Sequence, residues 1–111
     1  MSVTVDKDGE VTIVTLDRPD VRNAVDTEHA HALYEAFLAF DADDSAKVAV
    51  FHGAHGHFCA GWDLQFGAKL LRDAQGGDAA VFGELEFEAE DPQPAGPMGP
   101  SRLLLSKPVI A

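Results

Sequence analysis
The chain opens with two β-rich runs, Val3 to Val5 and Val11 to Leu16, separated by Lys7-Asp8-Gly9-Glu10. An Asp-Gly step between such runs predicts a hairpin. In the second run Val11, Ile13 and Thr15 share one face, and Thr12, Val14 and Leu16 the other. Both faces are fairly apolar, so this strand is expected to be covered on both sides. Asp17 to Ala24 reads as a loop broken by Pro19 and Asn23. Asp26 or Thr27 can then cap a helix running to about Phe40. Ala30, Leu33, Phe37 and Phe40 recur at helical spacing, and Tyr34 and Leu38 widen the stripe into a core-facing surface. Asp41 to Ser45 is a polar connection.

The stretch Lys47 to Phe66 organises the rest. Lys47 to His52 is a short apolar strand, and Gly53 and Gly56 end it as a turn would. Phe58 to Gly61 follows, and Leu64, Phe66 and Leu70 predict a helix that opens near Trp62-Asp63. A strand that enters a glycine-tight turn and then a helix start leaves backbone N–H groups pointing outward, with partial positive charge behind them. An oxygen gaining negative charge is stabilised in such a place. Gly76-Gly77-Asp78 is a helix stop, and Ala79 to Glu90 reads as an acidic, solvated helix. Asp91 to Pro100 carries four prolines and two glycines and is a loop. Ser101 to Leu105 is expected to form a helical turn and Lys107 to Ala111 to begin a strand. Strand, helix, strand in that order predicts a βα unit with a right-handed crossover, hence a parallel or mixed sheet. Because the sequence stops inside an apolar run, its last strand is expected to pair outside this sequence, or the sequence to be a piece of a longer protein.

Composition narrows the classes. The 111 residues allow one domain, and 46% hydrophobic residues can supply a core. No apolar run approaches the roughly 20 residues of a membrane span. MSVTVDKDGE has neither the basic nor the apolar region of a signal peptide. A single cysteine, Cys59, fits a reducing, cytoplasmic setting. The net charge of −11 argues against nucleic acid or an anionic membrane as partner. It leaves room for an anionic ligand, since Arg18, Arg22, Lys69 and Arg72 sit in or beside the motif segments.

Several residues invite chemistry and admit plainer readings. His52, His55, His57 and Cys59 are zinc-ligand types, yet they fall on a strand end and turn material, so a surface turn is preferred and no metal is assigned. His29 and His31, two apart on a helix, do not face one another. Cys59 lies in a strand-like segment and reads as a small buried hydrophobe rather than a nucleophile. Asp63 is a first-turn helix acid favoured by the helix dipole. Arg22, by itself, is an ordinary exposed arginine.

Three pieces change that picture: VTLDRPDVRNAVD (Val14 to Asp26), KVAVFHGAHGHFCAGWDL (Lys47 to Leu64) and SKPVIA (Ser106 to Ala111). In order and spacing they resemble the enoyl-CoA hydratase/isomerase (crotonase) superfamily, and they span nearly the whole chain. The resemblance implies an α/β fold, an incomplete, N-terminal part of a spiral of ββα units occupying residues 1–111, with the 91–100 loop inside it. It implies trimers or dimers of trimers. It also implies an acyl-CoA substrate whose thioester oxygen meets the backbone N–H of Trp62, with the Ala60 carbonyl accepting from the adenine amino group. Arg22-Asn23-Ala24 would lie along the coenzyme A. The substrate-binding residues so implied are Arg22, Ala24, Ala60, Gly61, Trp62, Asp63 and Leu64. Small Ala60 and Gly61 let a ligand approach the backbone closely, and the Trp62 indole is expected to shape the acyl pocket.

The family's second oxyanion N–H and its acid/base carboxylates belong to segments that follow KPVIA, so no general acid or base is assigned here. The implied activity is stabilisation of a thioester enolate, hydration of a 2-enoyl-CoA being the commonest outcome, with no cofactor beyond the coenzyme A of the substrate. The alternative is a non-catalytic acyl-CoA-binding or subunit-interaction protein on the same fold. A third reading is a free-standing small α/β domain with an unrelated ligand.

Overall fold
A computed structural model describes residues 2–73 and 90–111. Its centre is a four-stranded sheet in the order β1-β2-β3-β4, formed by β1 (Val3–Asp8), β2 (Val11–Leu16), β3 (Val48–Gly53) and β4 (Val109–Ile110). β1 and β2 form the expected hairpin, but β1 runs on to Asp8, so only Gly9 and Glu10 turn the chain. Gly9 takes φ +61°, which glycine adopts without the Cβ penalty. β2 then leads through α1 (Thr27–Ala42) to β3, which lies parallel to it, Val14 opposite Phe51. The sheet is therefore mixed.

α1 forms where the apolar stripe predicts it. Asp26 caps it, its side chain accepting from the His29 N–H at 2.9 Å. Leu33, Phe37 and Phe40 are each at most 2% exposed and press on Val14, Leu16 and Ala49 of the sheet. Burying each such side chain contributes roughly 1.5–3 kcal/mol. The helix runs two residues beyond Phe40 because its last carbonyls find donors. Lys107 Nζ reaches the carbonyls of Phe40, at 2.9 Å, and Asp43, and sits 5.0 Å from the Phe40 ring centroid. A cation at a helix C-terminus also opposes the dipole.

One expectation fails, and of the two alternatives for the last strand one is removed. β2 is covered on one face only: Thr12, Val14 and Leu16 are buried beneath α1, while Val11, Ile13 and Thr15 are half-exposed. Apolar composition on both faces did not guarantee a second layer among the described residues. The last strand, in turn, pairs within the chain. β4 lies parallel to β3, with Ala49 opposite Val109, so KPVIA has a sheet partner.

The segment after Asp91 is irregular, as its prolines imply, and ends in a single 3-10 turn at Pro100–Arg102 in place of a turn over Ser101 to Leu105. α2 (Leu64–Asp73) is the helix expected after Trp62-Asp63. Its stop at Gly76-Gly77-Asp78 and the acidic helix at Ala79 to Glu90 fall outside the described residues, apart from Glu90, which is in a turn.

Candidate functional site: a groove beside Trp62
Two loops converge at the ends of β2 and β3. The first, Asp17 to Asp26, contains a 3-10 turn at Pro19–Val21 followed by Arg22 and Asn23, both with positive φ (51° and 61°). Asn23 is fully buried and is the tie between the loops. Its side-chain NH2 donates to the carbonyls of Ala54 at 2.9 Å and His57 at 2.7 Å, and its Oδ1 accepts from the Arg18 N–H at 2.6 Å. Asparagine suits this place because it tolerates the left-handed region and carries both donor and acceptor.

The second loop, Ala54 to Asp63, starts at Gly53, where an added Cβ would fall on the carbonyl oxygens of His57 and Phe58. The loop can fold back over the strand end only because Gly53 has no side chain. Gly61 (φ +95°) then turns the chain so that Trp62 meets Val25 in a short parallel bridge. The Val25 N–H donates to the Gly61 carbonyl at 2.8 Å, and the Asp63 N–H donates to the Val25 carbonyl at 2.8 Å. In a parallel pairing of this kind the groups flanking Trp62 are consumed, while its own N–H faces the opposite side. Among the described residues, neither that N–H nor the Ala60 carbonyl makes a hydrogen bond.

Asp63 is not simply a first-turn acid. It caps α2, its Oδ1 accepting from the Phe66 N–H at 3.1 Å, and its other oxygen lies 3.4 Å from Arg18 Nη1. The Trp62 ring packs on the same helix: a Cβ on Gly67 would fall 2.9 Å from Cζ3, so glycine admits the indole there. The indole Nε1 is buried and has no partner among the described residues.

A groove of about 550 Å³ opens where the loops meet, lined by Pro19 to Arg22, Ala24, Ala60 and Trp62 to Gln65. Six of the seven residues implied for substrate binding, namely Arg22, Ala24, Ala60, Trp62, Asp63 and Leu64, thus line one groove; Gly61 supplies the turn between two of them. Arg22 is exposed, Leu64 is 77% exposed, and Asp63 is buried with its carboxylate turned inward. A separate apolar cavity of about 370 Å³ lies under α1, its walls including Phe37, Phe51, Phe58, Cys59 and Met98. Cys59 is half-buried there, in a loop and not in the strand-like segment expected of it.

The histidines do not assemble. His55 Nε2 pairs with Asp17 at 2.8 Å, His52 and His57 are exposed, and His29 Nδ1 lies 2.6 Å from Asp26. Among the described residues no group of three or more His, Cys, Asp or Glu is placed to hold a metal ion. Sequence reasoning missed the structural weight of Arg18 and Asn23. The signal available was their place in the DRPDVRNA loop, where a polar residue facing inward has to be satisfied.

The family model described as enoyl-CoA hydratase/isomerase matches residues 6–85, well over half of the sequence. The chain belongs to the enoyl-CoA hydratase/isomerase family. Among curated relatives, a carnitinyl-CoA dehydratase of Salmonella arizonae is 38% identical over 112 residues, covering 99% of this chain and 37% of the relative. The enoyl-CoA hydratase EchA19 of Mycobacterium tuberculosis is 39% identical over 61 residues, 55% of this chain and 23% of that protein. A crystal structure of an enoyl-CoA hydratase from Mycobacterium tuberculosis H37Rv superposes with TM-score 0.67 at 29% identity, covering 97% of this chain and 36% of the other. One of a probable enoyl-CoA hydratase/isomerase from Mycobacterium abscessus gives 0.68 at 29% identity over 97% and 35%. This family member therefore carries a partial crotonase-type α/β fold, and it spans about a third or less of the length of the first curated relatives it matches.

Proposed function
We propose that the groove beside Trp62 binds an acyl-CoA thioester and that the Trp62 N–H donates to the thioester oxygen as it takes on enolate charge. The observation that carries this reading is the pairing of Trp62 with Val25. It fastens the peptides on either side and leaves the Trp62 N–H and the Ala60 carbonyl unbonded among the described residues. A donor held in place before the reaction stabilises developing charge without reorganising. The start of α2, capped by Asp63, adds the positive end of a helix dipole nearby. The carbonyl of Ala60 is the acceptor for an adenine amino group, and exposed Arg22 faces the phosphates.

The relatives named as hydratases and dehydratases of CoA thioesters support hydration of a 2-enoyl-CoA, or its reverse, as the reaction, with no cofactor besides the coenzyme A of the substrate. Trp62 contributes one of the two oxyanion donors of the family pattern. The assembly is a homo-oligomer, a trimer or dimer of trimers, working in the cytoplasm. A monomeric sedimentation profile would remove the oligomer. Among the described residues no helix is long and apolar enough to cross a membrane.

The test replaces the backbone donor itself. Trp62→Pro removes the N–H, whereas Trp62→Ala keeps it. Hydration is followed as loss of the conjugated enoyl thioester absorbance, and acyl-CoA binding by calorimetry. Trp62→Pro is expected to lose on the order of 10²–10³ in kcat, well beyond the loss in Trp62→Ala, with acyl-CoA still bound. Equal activity in the two variants would remove Trp62 from the oxyanion role. Tight binding with no turnover in the unaltered protein would favour the non-catalytic acyl-CoA binder.

A further inference from the structure
Arg18 does not line the groove, yet it touches most of what shapes it. Its side chain is 17% exposed. Nη1 donates to the Ala24 carbonyl at 2.6 Å and lies 3.4 Å from Asp63 Oδ2, and Nη2 lies 3.4 Å from Asp26 Oδ2. The two aspartates are the caps of the two helices. Each divides its oxygens in the same way: Oδ1 takes a helix N–H, from His29 or from Phe66, and Oδ2 faces Arg18. Each residue of the Val25–Trp62 bridge immediately precedes one of these caps, Val25 before Asp26 and Trp62 before Asp63, and Ala24 lies on the other side of Val25. Arg18 therefore holds the residues on both sides of Val25 and the residue after Trp62.

A phosphate-binding role does not fit this arginine. Two carboxylates already face its guanidinium, which leaves no excess positive charge for an anion, and its planar fork is used up on a carbonyl and two acids. What remains is geometry. With the Gly61 carbonyl and Asp63 N–H fixed by Val25, and Asp63 and Ala24 fixed by Arg18, the peptide carrying the Trp62 N–H has little freedom to rotate.

We infer that Arg18 is a positioning residue: by joining the cap of α1 to the cap of α2 it sets the direction of the Trp62 N–H, without touching the ligand. This rests on the oxyanion reading of Trp62. A misplacement of about 1 Å in such a donor can cost on the order of 10²-fold in rate, so the effect belongs in kcat and in polarisation of the bound carbonyl, not in affinity.

The experiment reads the thioester carbonyl stretch of a bound, unreactive saturated acyl-CoA by difference infrared spectroscopy, in the intact protein and in Arg18→Met, Arg18→Lys and Asp26→Asn. Removing one partner of a half-buried charge pair can unfold a protein. Lysine keeps the charge and asparagine keeps the cap, so these two variants carry the test if Arg18→Met does not fold. The expected result is a carbonyl shifted to lower frequency in the unaltered protein and a smaller shift in the variants, with acyl-CoA affinity little changed and kcat lowered about 10²-fold. A shift in the unaltered protein that persists in folded variants would overturn the role of Arg18 and leave Trp62 standing. Loss of binding and shift together in every variant would make Arg18 a purely structural residue and also overturn the inference. No shift in the unaltered protein would remove the oxyanion reading itself, and this inference with it.

Discussion
Asn23 shows how much one side chain holds at this site. It is fully buried, sits in the left-handed region and makes three side-chain hydrogen bonds across two loops. Asn23→Ala forfeits those bonds at about 1 kcal/mol each and places a Cβ-bearing residue without local compensation at positive φ, a further 1–2 kcal/mol. A total loss of about 4–5 kcal/mol is expected in urea unfolding; a loss under about 1 kcal/mol would mean the loops are held elsewhere. At this scale the sequence was only partly legible. Asn23 was visible as a breaker of regular structure, and the resemblance singled out Arg22 and Ala24, which the structure places on one groove. Nothing in the spacing showed that Asn23 and Arg18 turn inward, because beyond their partners within the same loop they are held by Ala54, His57 and Asp63, more than 30 residues away.

Elements were more legible, since each is set by local pattern. The α1 stripe, the Gly9 turn and the start of α2 all follow from periodicity and from residues with one strong conformational preference. The failure at β2 has the opposite origin: whether a second layer covers a face is a question about distant chain, and strand composition does not encode it. The cap of α1 carries a pH dependence. Burial alone would raise the Asp26 carboxyl, but hydrogen bonds from the His29 backbone and ring, with the charges of His29 and Arg18, outweigh it and hold its pKa below the ordinary 3.8. Ionised Asp26 therefore stabilises the fold above that pH, and the contribution is lost as pH falls from 3.8 through the lower folded value. Asp26→Asn retains a capping acceptor and cannot ionise. Its Tm is expected to fall less steeply below pH 3.8 than that of the unaltered protein. Parallel curves would place the acid sensitivity on other carboxylates.

Across the whole molecule, the last described segment is tied to the C-terminal end of α1 by long-range bonds. Lys107 closes α1 from 67 residues away, and the Ser106 N–H and Oγ both donate to Asp41 Oδ1, at 2.9 and 2.8 Å. Those bonds hold Asp41 below the ordinary carboxylate range, Ser106 being the main cause. SKPVIA is thus a docking segment for the helix as well as a strand. Lys107→Met, which keeps the length of the stem and drops the donors, is expected to lose about 1–2 kcal/mol in chemical denaturation. An unchanged midpoint would mean that the helix end is satisfied by water.

Along β1 the outermost strand of the described sheet presents Asp6, Lys7 and Asp8 to solvent. Charged side chains on a strand border oppose the backbone of an incoming chain, so this side of the sheet is guarded against accretion of copies through main-chain pairing.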